Sequence, residues 1–205
     1  MRGTLVCVGL LLLASAAVAD PLDPIPPEQV ASIAPRLIEE ANKLADPPIK
    51  IDADADKATG LFRQGVGGLM VVPVKGLKAE SLGNAAEVNG AATGYVFLYR
   101  LRPVINGKTL EGDKHSTVIL KDDNGAEREI AVLRLAAKKI SDSEWKLLVF
   151  AKDKKPVFTA AFRQEANSSD QPVSLSAKEG QNDQGTLTIT LFGKYAADVP
   201  LARLQ

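Results

Sequence analysis

Cysteine, histidine and tryptophan are almost missing from this sequence, with one of each among 205 residues. Cys7 lies inside an apolar run near the N-terminus, and His115 stands alone in "GDKHSTV". A single histidine cannot build a multi-histidine metal site. A serine triad would need His115 beside a reactive serine and an acid, yet its neighbour Ser116 would point to the opposite face of a strand. No G-x-S-x-G elbow is present. The glycines of "QGVGGLMVV" open onto a β-type run rather than a helix, so they read as a hairpin turn or bulge and not as a phosphate cradle. No catalytic, cofactor-binding or metal-binding residue is nominated, and no cofactor is expected.

An excess of charge of either sign is lacking too. The chain carries 25 Lys and Arg against 25 Asp and Glu. Its lysine-rich pieces, "AAKKIS" and "AKDKKP", are short and lie next to acidic residues. A nucleic-acid binder concentrates basic residues on one face, so nucleic acid is not the expected partner. "KDKK" reads as a solvated turn. No internal repeat recurs at a fixed period.

Long hydrophobic runs are missing as well. The opening "MRGTLVCVGLLLLASAAVAD" has a positive start at Arg2, an apolar core from Leu5 to Leu13 and small residues at Ala17-Val18-Ala19. That order reads as an export signal over residues 1–19 and is far short of a membrane-spanning helix. In a lipoprotein signal the cysteine follows the apolar core and a small residue, whereas Cys7 follows Val6 within the core. Cleavage after Ala19 would remove the only cysteine, leaving no disulfide, thiol nucleophile or cysteine ligand. A cysteine-free exported chain suits a bacterial envelope or periplasm better than a disulfide-dependent secretory route. The expected location is therefore the periplasm, the cell envelope or outside the cell, without membrane insertion after cleavage. Asn167-Ser168-Ser169 matches a glycosylation acceptor, which matters only in a eukaryotic secretory pathway.

What remains has two rhythms. "DPLDPIPPEQ" is rich in proline and aspartate and reads as a tether without regular structure. In "PPEQVASIAPRLIEEANKLADPP", Val30, Ile33, Leu37, Ile38, Ala41 and Leu44 recur at three- and four-residue spacing, one apolar stripe of a helix. Pro27 suits a first turn and Pro47-Pro48 a stop, while Pro35 predicts a kink or a helix starting near 35. That helix is expected to cover one end or face of its own sheet. From Ile49 the period becomes two. "IKIDADAD", "GLMVVPV", "TGYVFLYRLRPV", "HSTVILK", "EREIAVLRL", "EWKLLVFAK", "PVFTAAF", "PVSLSA" and "GTLTITLF" follow one another as short strand-like runs. "TGYVFLYRLRPV", apolar on both faces, reads as a central strand. Asn89-Gly90, Asn106-Gly107 and Asn124-Gly125 supply the dipeptide that favours tight antiparallel turns. "STVILKDDNGAEREIAVLRL" and "EWKLLVFAKDKKPVFTAAF" read as hairpins, with Asp122-Asp123 serving the first turn.

The row Asp52, Asp54, Asp56 has the spacing that opens a calcium loop. Such a loop also needs glycine at position 6 and glutamate at position 12. Lys57 and Arg63 occupy those places. Ile49, Ile51, Ala53 and Ala55 fall on one side of an alternating segment, with the aspartates on the other. On an extended strand Asp52 and Asp56 lie roughly 13 Å apart, too far for one ion whose oxygens stand at about 2.4 Å. The row reads as the solvated face of a strand ending near Asp56, where its charge guards an edge against pairing with another chain. Trp145, opening the alternation of "EWKLLVF", reads as a core residue rather than a sugar platform.

About nine to eleven short strands without intervening helices predict an antiparallel β-sandwich, immunoglobulin-like in outline, preceded by one short amphipathic helix. The expected organisation is a tether and helix over residues 20–48, then one β domain over 49–205. The function this favours is an exported, non-catalytic binding or interaction module. Its partner would be another protein, or an extended peptide adding to an open sheet edge. The alternative is a secreted carbohydrate-active domain, acting through scattered carboxylates and aromatics.

Overall fold

The computed structural model describes residues 22–122, 124–166 and 169–204. The export signal over residues 1–19, Asp123 and the Asn167-Ser168 pair of the glycosylation pattern lie outside the described residues. In chain order the strands are β1 (Asp23–Pro24), then, after helix α1 (Pro27–Asn42), β2 (Thr59–Arg63), β3 (Gly67–Pro73), β4 (Ala91–Tyr99), β5 (Leu101–Ile105) and β6 (Lys108–Thr109). They continue as β7 (Ser116–Lys121), β8 (Glu127–Lys139), β9 (Trp145–Phe150), β10 (Phe158–Ala161), β11 (Arg163–Gln164), β12 (Val173–Glu179), β13 (Gln184–Leu191) and β14 (Tyr195–Arg203).

The strands form two packed antiparallel sheets, so the molecule is an all-β sandwich with one helix. The first sheet runs β1-β2-β3-β4-β8-β9-β10, and the second runs β12-β13-β14-β5-β6. The long strand β8 carries β4 along one edge and shares its other edge between β7, on residues 127–132, and β9, on residues 134–139. Likewise β14 takes β11 at its start and β5 at its end on the edge away from β13.

Burial follows from layer position. Leu69, Val71, Val96, Leu98, Leu133 and Val149 of the first sheet meet Leu187, Ile189, Leu191, Val199 and Leu201 of the second in one continuous core. The residues between them in sequence, such as Met70, Val72, Phe97 and Val132, face the other way and pack beneath α1 with Val30, Ala34, Leu37 and Ala41. Strands covered on both faces read as unbroken apolar runs, which is why β3 is buried throughout. In the second sheet, β13 alternates instead, because only one of its faces is covered.

Helix α1 runs from Pro27 through Pro35 to Asn42, so the late start near residue 35 is not found. Proline removes the bond its N–H would make to the carbonyl four residues earlier. That carbonyl belongs to Ala31, and both Ala31 and Pro35 are exposed, so water can take the missing donor's place. The tether reading also changes at Asp23–Pro24, which pair with Leu61 and Phe62 at the sheet edge. An edge strand tolerates a proline, which cannot donate to the ladder.

Three other expectations are corrected. "TGYVFLYRLRPV" is not one strand. It breaks at Arg100, whose φ of 57° turns the chain out of the first sheet (β4) and into the second (β5). Residues 49–58 do not form the expected strand either. Ala53 makes a single bridge to Val74, and the chain then curls into a 3₁₀ turn at Ala55–Lys57, capped by Asp54 Oδ1 accepting from Asp56 N at 3.2 Å. The apolar side was read correctly, since Ile51 is buried and Ile49, Ala53 and Ala55 pack on the helix-side core. Finally, the Asn-Gly pairs divide. Asn106-Gly107, at φ 51° and 76°, joins β5 to β6, and Asn124-Gly125 lies in the β7–β8 turn. Asn89-Gly90 follows a 3₁₀ segment and leads into β4 without closing a hairpin. Gly90 is needed there because a Cβ would sit 2.4 Å from the Ala137 carbonyl oxygen.

Strand β14 carries Pro200, a residue that argues against a central strand. It nevertheless lies between β13 and β5, with Pro200 opposite Thr186.

Candidate binding groove

Helix α1 does not seal the sheet face it covers. Four of its side chains are buried at spacings of four, three and four, and they seat the helix along one line. Beside that line, towards the N-terminal end of the helix, a groove of about 320 Å³ remains open. Ile25, Ile33 and Leu37 form one wall. Met70 and Phe97 lie in its floor, and Phe62, Leu120 and Ile130 line its sides. Gly68 narrows the backbone beneath Phe62, since a Cβ there would meet the Phe62 ring at 2.9 Å. Phe62 itself is 42% exposed, an apolar side chain left at an open mouth. Arg36 ties the helix to the end of β7 by donating from Nη2 to the Lys121 carbonyl at 2.6 Å.

One polar group borders this apolar lining. Arg128 donates from Nε and Nη2 to Asp122 Oδ2 at 3.1 and 2.7 Å, and from Nη1 to the Tyr99 hydroxyl at 3.3 Å. Asp122 Oδ1 accepts from the backbone N–H of Asn124 at 3.0 Å and of Ala126 at 2.9 Å. The Arg128 guanidinium, followed by these turn amides, holds the Asp122 carboxyl below its usual range. The aspartate thus does the turn duty expected of it and also anchors the arginine at the groove mouth.

Beyond Tyr99 and Arg128 lies a second hollow of about 250 Å³, which both residues also line. It contains Arg100, Arg102, Glu127, Glu129 and Leu204. Arg102 is 6% exposed. Its Nη1 donates to the Leu101 carbonyl at 2.8 Å, and no carboxylate of the described residues stands within ion-pair distance of it. Burial pushes its guanidinium below the ordinary value, with Glu129 acting in the opposite sense. The hollow forms where the chain changes sheets at Arg100, brought against the β7–β8 hairpin.

The residues weighed from sequence lie elsewhere. Asp52 and Asp56 are exposed and Asp54 is half-buried, around the 3₁₀ turn. Among the described residues, no three His, Cys, Asp or Glu side chains are grouped to hold a metal. His115 is buried at the seam between β7 and β9. Its Nδ1 lies 3.1 Å from the Ser116 carbonyl and 3.3 Å from Thr117 Oγ1. Desolvation lowers its pKa, and Nε2 has no protein partner among the described residues. Trp145 packs against the inter-sheet core beside Phe162 and Tyr195, around a small hollow of about 80 Å³. Gly65 and Gly67 make the turn between β2 and β3, as read from sequence.

Sequence reasoning passed over Arg102 and Arg128, which stand beside Tyr99. Each looked like an ordinary strand residue, and they meet only through the β4–β8 pairing and the crossing at Arg100. The fold and groove define a helix-covered β-sandwich with an apolar cleft between its helix and its first sheet. Comparison with protein-family models, curated proteins and solved structures found no match to this chain. Among the described residues, no helix is long and apolar enough to cross a membrane.

Proposed function

We propose that this chain is a non-catalytic binding module that takes an apolar ligand, or the apolar part of one, between α1 and the first sheet. The observation that carries this reading is the 320 Å³ groove, lined by Ile, Leu, Met and Phe side chains and open at Phe62. A concave, mostly apolar cleft with a few converging polar groups has the character of a small-molecule site. The one carboxylate in its lining, Asp122, is held by Arg128, which suits holding a ligand better than attacking one. The opening residues of the chain support a module that works in the envelope or outside the cell. The cleft favours a small ligand over the extended peptide expected from sequence.

The test is uptake of a neutral apolar fluorophore, N-phenyl-1-naphthylamine, by the purified protein. The expected result is saturable binding at one site, weakened at least tenfold in Ile33→Trp, whose larger ring would fill the groove from the half-buried side of α1. Circular dichroism of the variant should match the parent. Unsaturable uptake by the parent, or equal binding by a folded Ile33→Trp protein, overturns the reading.

A further inference from the structure

Strand β12 ends the second sheet, and among the described residues no strand lies beyond it. The hydrogen bonds at its two ends fix which way its backbone points. Phe192 N donates to the Pro172 carbonyl at 3.1 Å, and Gly180 N donates to the Gln184 carbonyl at 2.8 Å. Bonded and non-bonded pairs alternate along an antiparallel ladder. Residues 172, 174, 176, 178 and 180 therefore turn their backbone groups towards β13. Val173, Leu175, Ala177 and Glu179 turn theirs outwards. Side chains divide by the same alternation. Val173, Leu175 and Ala177 face the inter-sheet core, while Ser174, Ser176 and Lys178 lie on the opposite, solvent face.

The other sheet edges are guarded. On the first sheet, β1 is two residues long and carries Pro24, and β10 has four residues. The outer edge of β7 has its Lys121 carbonyl taken by Arg36. At the far end of the second sheet, β6 has two residues. Short strands, prolines and covered edges deter pairing between chains. Strand β12, by contrast, has seven residues without proline or bulge, and its charges, Lys178 and Glu179, lie together at one end. Arg63 of the first sheet holds Glu179 there at 3.4 Å. The stretch from Val173 to Ala177 remains an open template.

We propose that this edge pairs with the same edge of a second copy of the chain, antiparallel about a two-fold axis at Ser176. A two-fold interface sets one patch against itself. In this register all four outward-facing residues of each copy find partners. Val173 meets Glu179 of the other copy, Leu175 meets Ala177, and Ser176 stands opposite Ser176. Lys178 falls opposite Ser174, so no like charges come face to face. The chain's charges balance at 25 of each sign, so net repulsion does not hold two copies apart. Register and charge thus favour a second copy over a foreign peptide. The apolar groove lies on the helix side of the first sheet and stays open in this dimer, so the assignment does not depend on the ligand reading.

The experiment is sedimentation equilibrium of the purified protein over a range of concentrations. The expected result is a reversible monomer–dimer equilibrium. Ser176→Lys and Ser176→Asp, at an exposed position, each set like charges against one another across the axis. Each should weaken dimerisation roughly fivefold or more, and an equimolar mixture of the two should associate more tightly than either. Disulfide formation in a Cys7→Ser background reads the register. A directly opposed, non-bonded pair has its Cα atoms about 4.5 Å apart, within disulfide reach. Ser176→Cys should therefore cross-link on oxidation, and Ser174→Cys should not. Circular dichroism of each variant should match the parent, and the cysteine arm stands alone should a charged variant fail to fold. A monomer at every concentration overturns the proposal. So does a dimer that folded Ser176→Lys leaves unweakened, a mixture no tighter than its components, or cross-linking of Ser174→Cys as readily as Ser176→Cys.

Discussion

Replacing Arg134 by methionine should make the protein more stable, although it removes a charged residue from the middle of the longest strand. Arg134 lies on β8 opposite Tyr95 of β4 and Phe150 of β9, on the face that α1 covers. It is 1% exposed, and its Nε, Nη1 and Nη2 atoms have no protein hydrogen-bond partner among the described residues. The Tyr95 ring offers partial compensation, with Arg134 Cζ 5.5 Å from its centroid. A desolvated cation–π contact contributes about 2 kcal/mol. Removing a guanidinium from water costs several kcal/mol even after relaxation. The deficit is therefore on the order of 1–4 kcal/mol. Methionine keeps an unbranched stem of similar reach and fills the remaining space with a polarizable thioether. Arg134→Met should accordingly raise the unfolding free energy by about 1–4 kcal/mol. Each kcal/mol should lift the thermal midpoint by roughly 2–4 °C for a chain of this size. Urea unfolding followed by the fluorescence of Trp145, the only tryptophan, would measure it with an unchanged denaturant slope. Arg134→Ala, which also discards the packed stem and leaves a cavity, should gain less than the methionine variant or lose stability. A methionine variant less stable than the parent by 1 kcal/mol or more would refute the reasoning. It would mean that the guanidinium has a strong partner in solution and that its burial is compensated.

Two further perturbations probe the helix and the β7–β9 seam of the first sheet. Pro35→Ala restores a missing backbone donor and removes a residue about 3 kcal/mol worse than alanine in a helix interior. Because Pro35 is exposed, nothing packed is lost, and thermal unfolding should show a gain of about 1–3 kcal/mol. An unchanged midpoint would show that the helix is distorted at that turn whether or not proline is there. His115 predicts acid sensitivity in a defined window. Desolvation lowers its pKa from 6.5 in the folded protein, so below about that value the unfolded chain binds more protons than the native one. Stability should be complete above pH 6.5 and fall as pH drops towards the folded-state value. The depressed aspartates Asp122, Asp142 and Asp198, whose unperturbed value is 3.8, titrate below this window. Urea unfolding at pH 7.5 and pH 5.5 should show the loss in the parent and a smaller one in His115→Gln. Equal losses in both would remove His115 from the account.

Much of the fold was legible because each rhythm had a local cause. Alternating apolar residues and the polar turn segments between them placed the β7–β8 and β9–β10 hairpins, and the three-and-four spacing from Val30 to Ala41 placed the helix with the correct face inward. The errors arose where a tertiary contact outweighed the local pattern. Arg100 adopts φ 57° in the middle of an apolar run because the chain must leave one sheet for the other. "IDADAD" alternates like a strand yet curls at Asp54, where the side chain accepts its own turn's amide. Strand β14 was hidden by Pro200.

The sequence by itself determined the β character, the amphipathic helix and the poverty of catalytic residue types, since these depend on side-chain period and composition. Only the tertiary structure decided that a cleft exists, and where. Tyr99, Arg102 and Arg128 come to line one hollow through strand pairing and a change of sheet, and the apolar groove is the space α1 leaves uncovered. Periodicity specifies which face of an element is apolar. It does not specify how much of that face its partner covers, and the groove lies in that remainder.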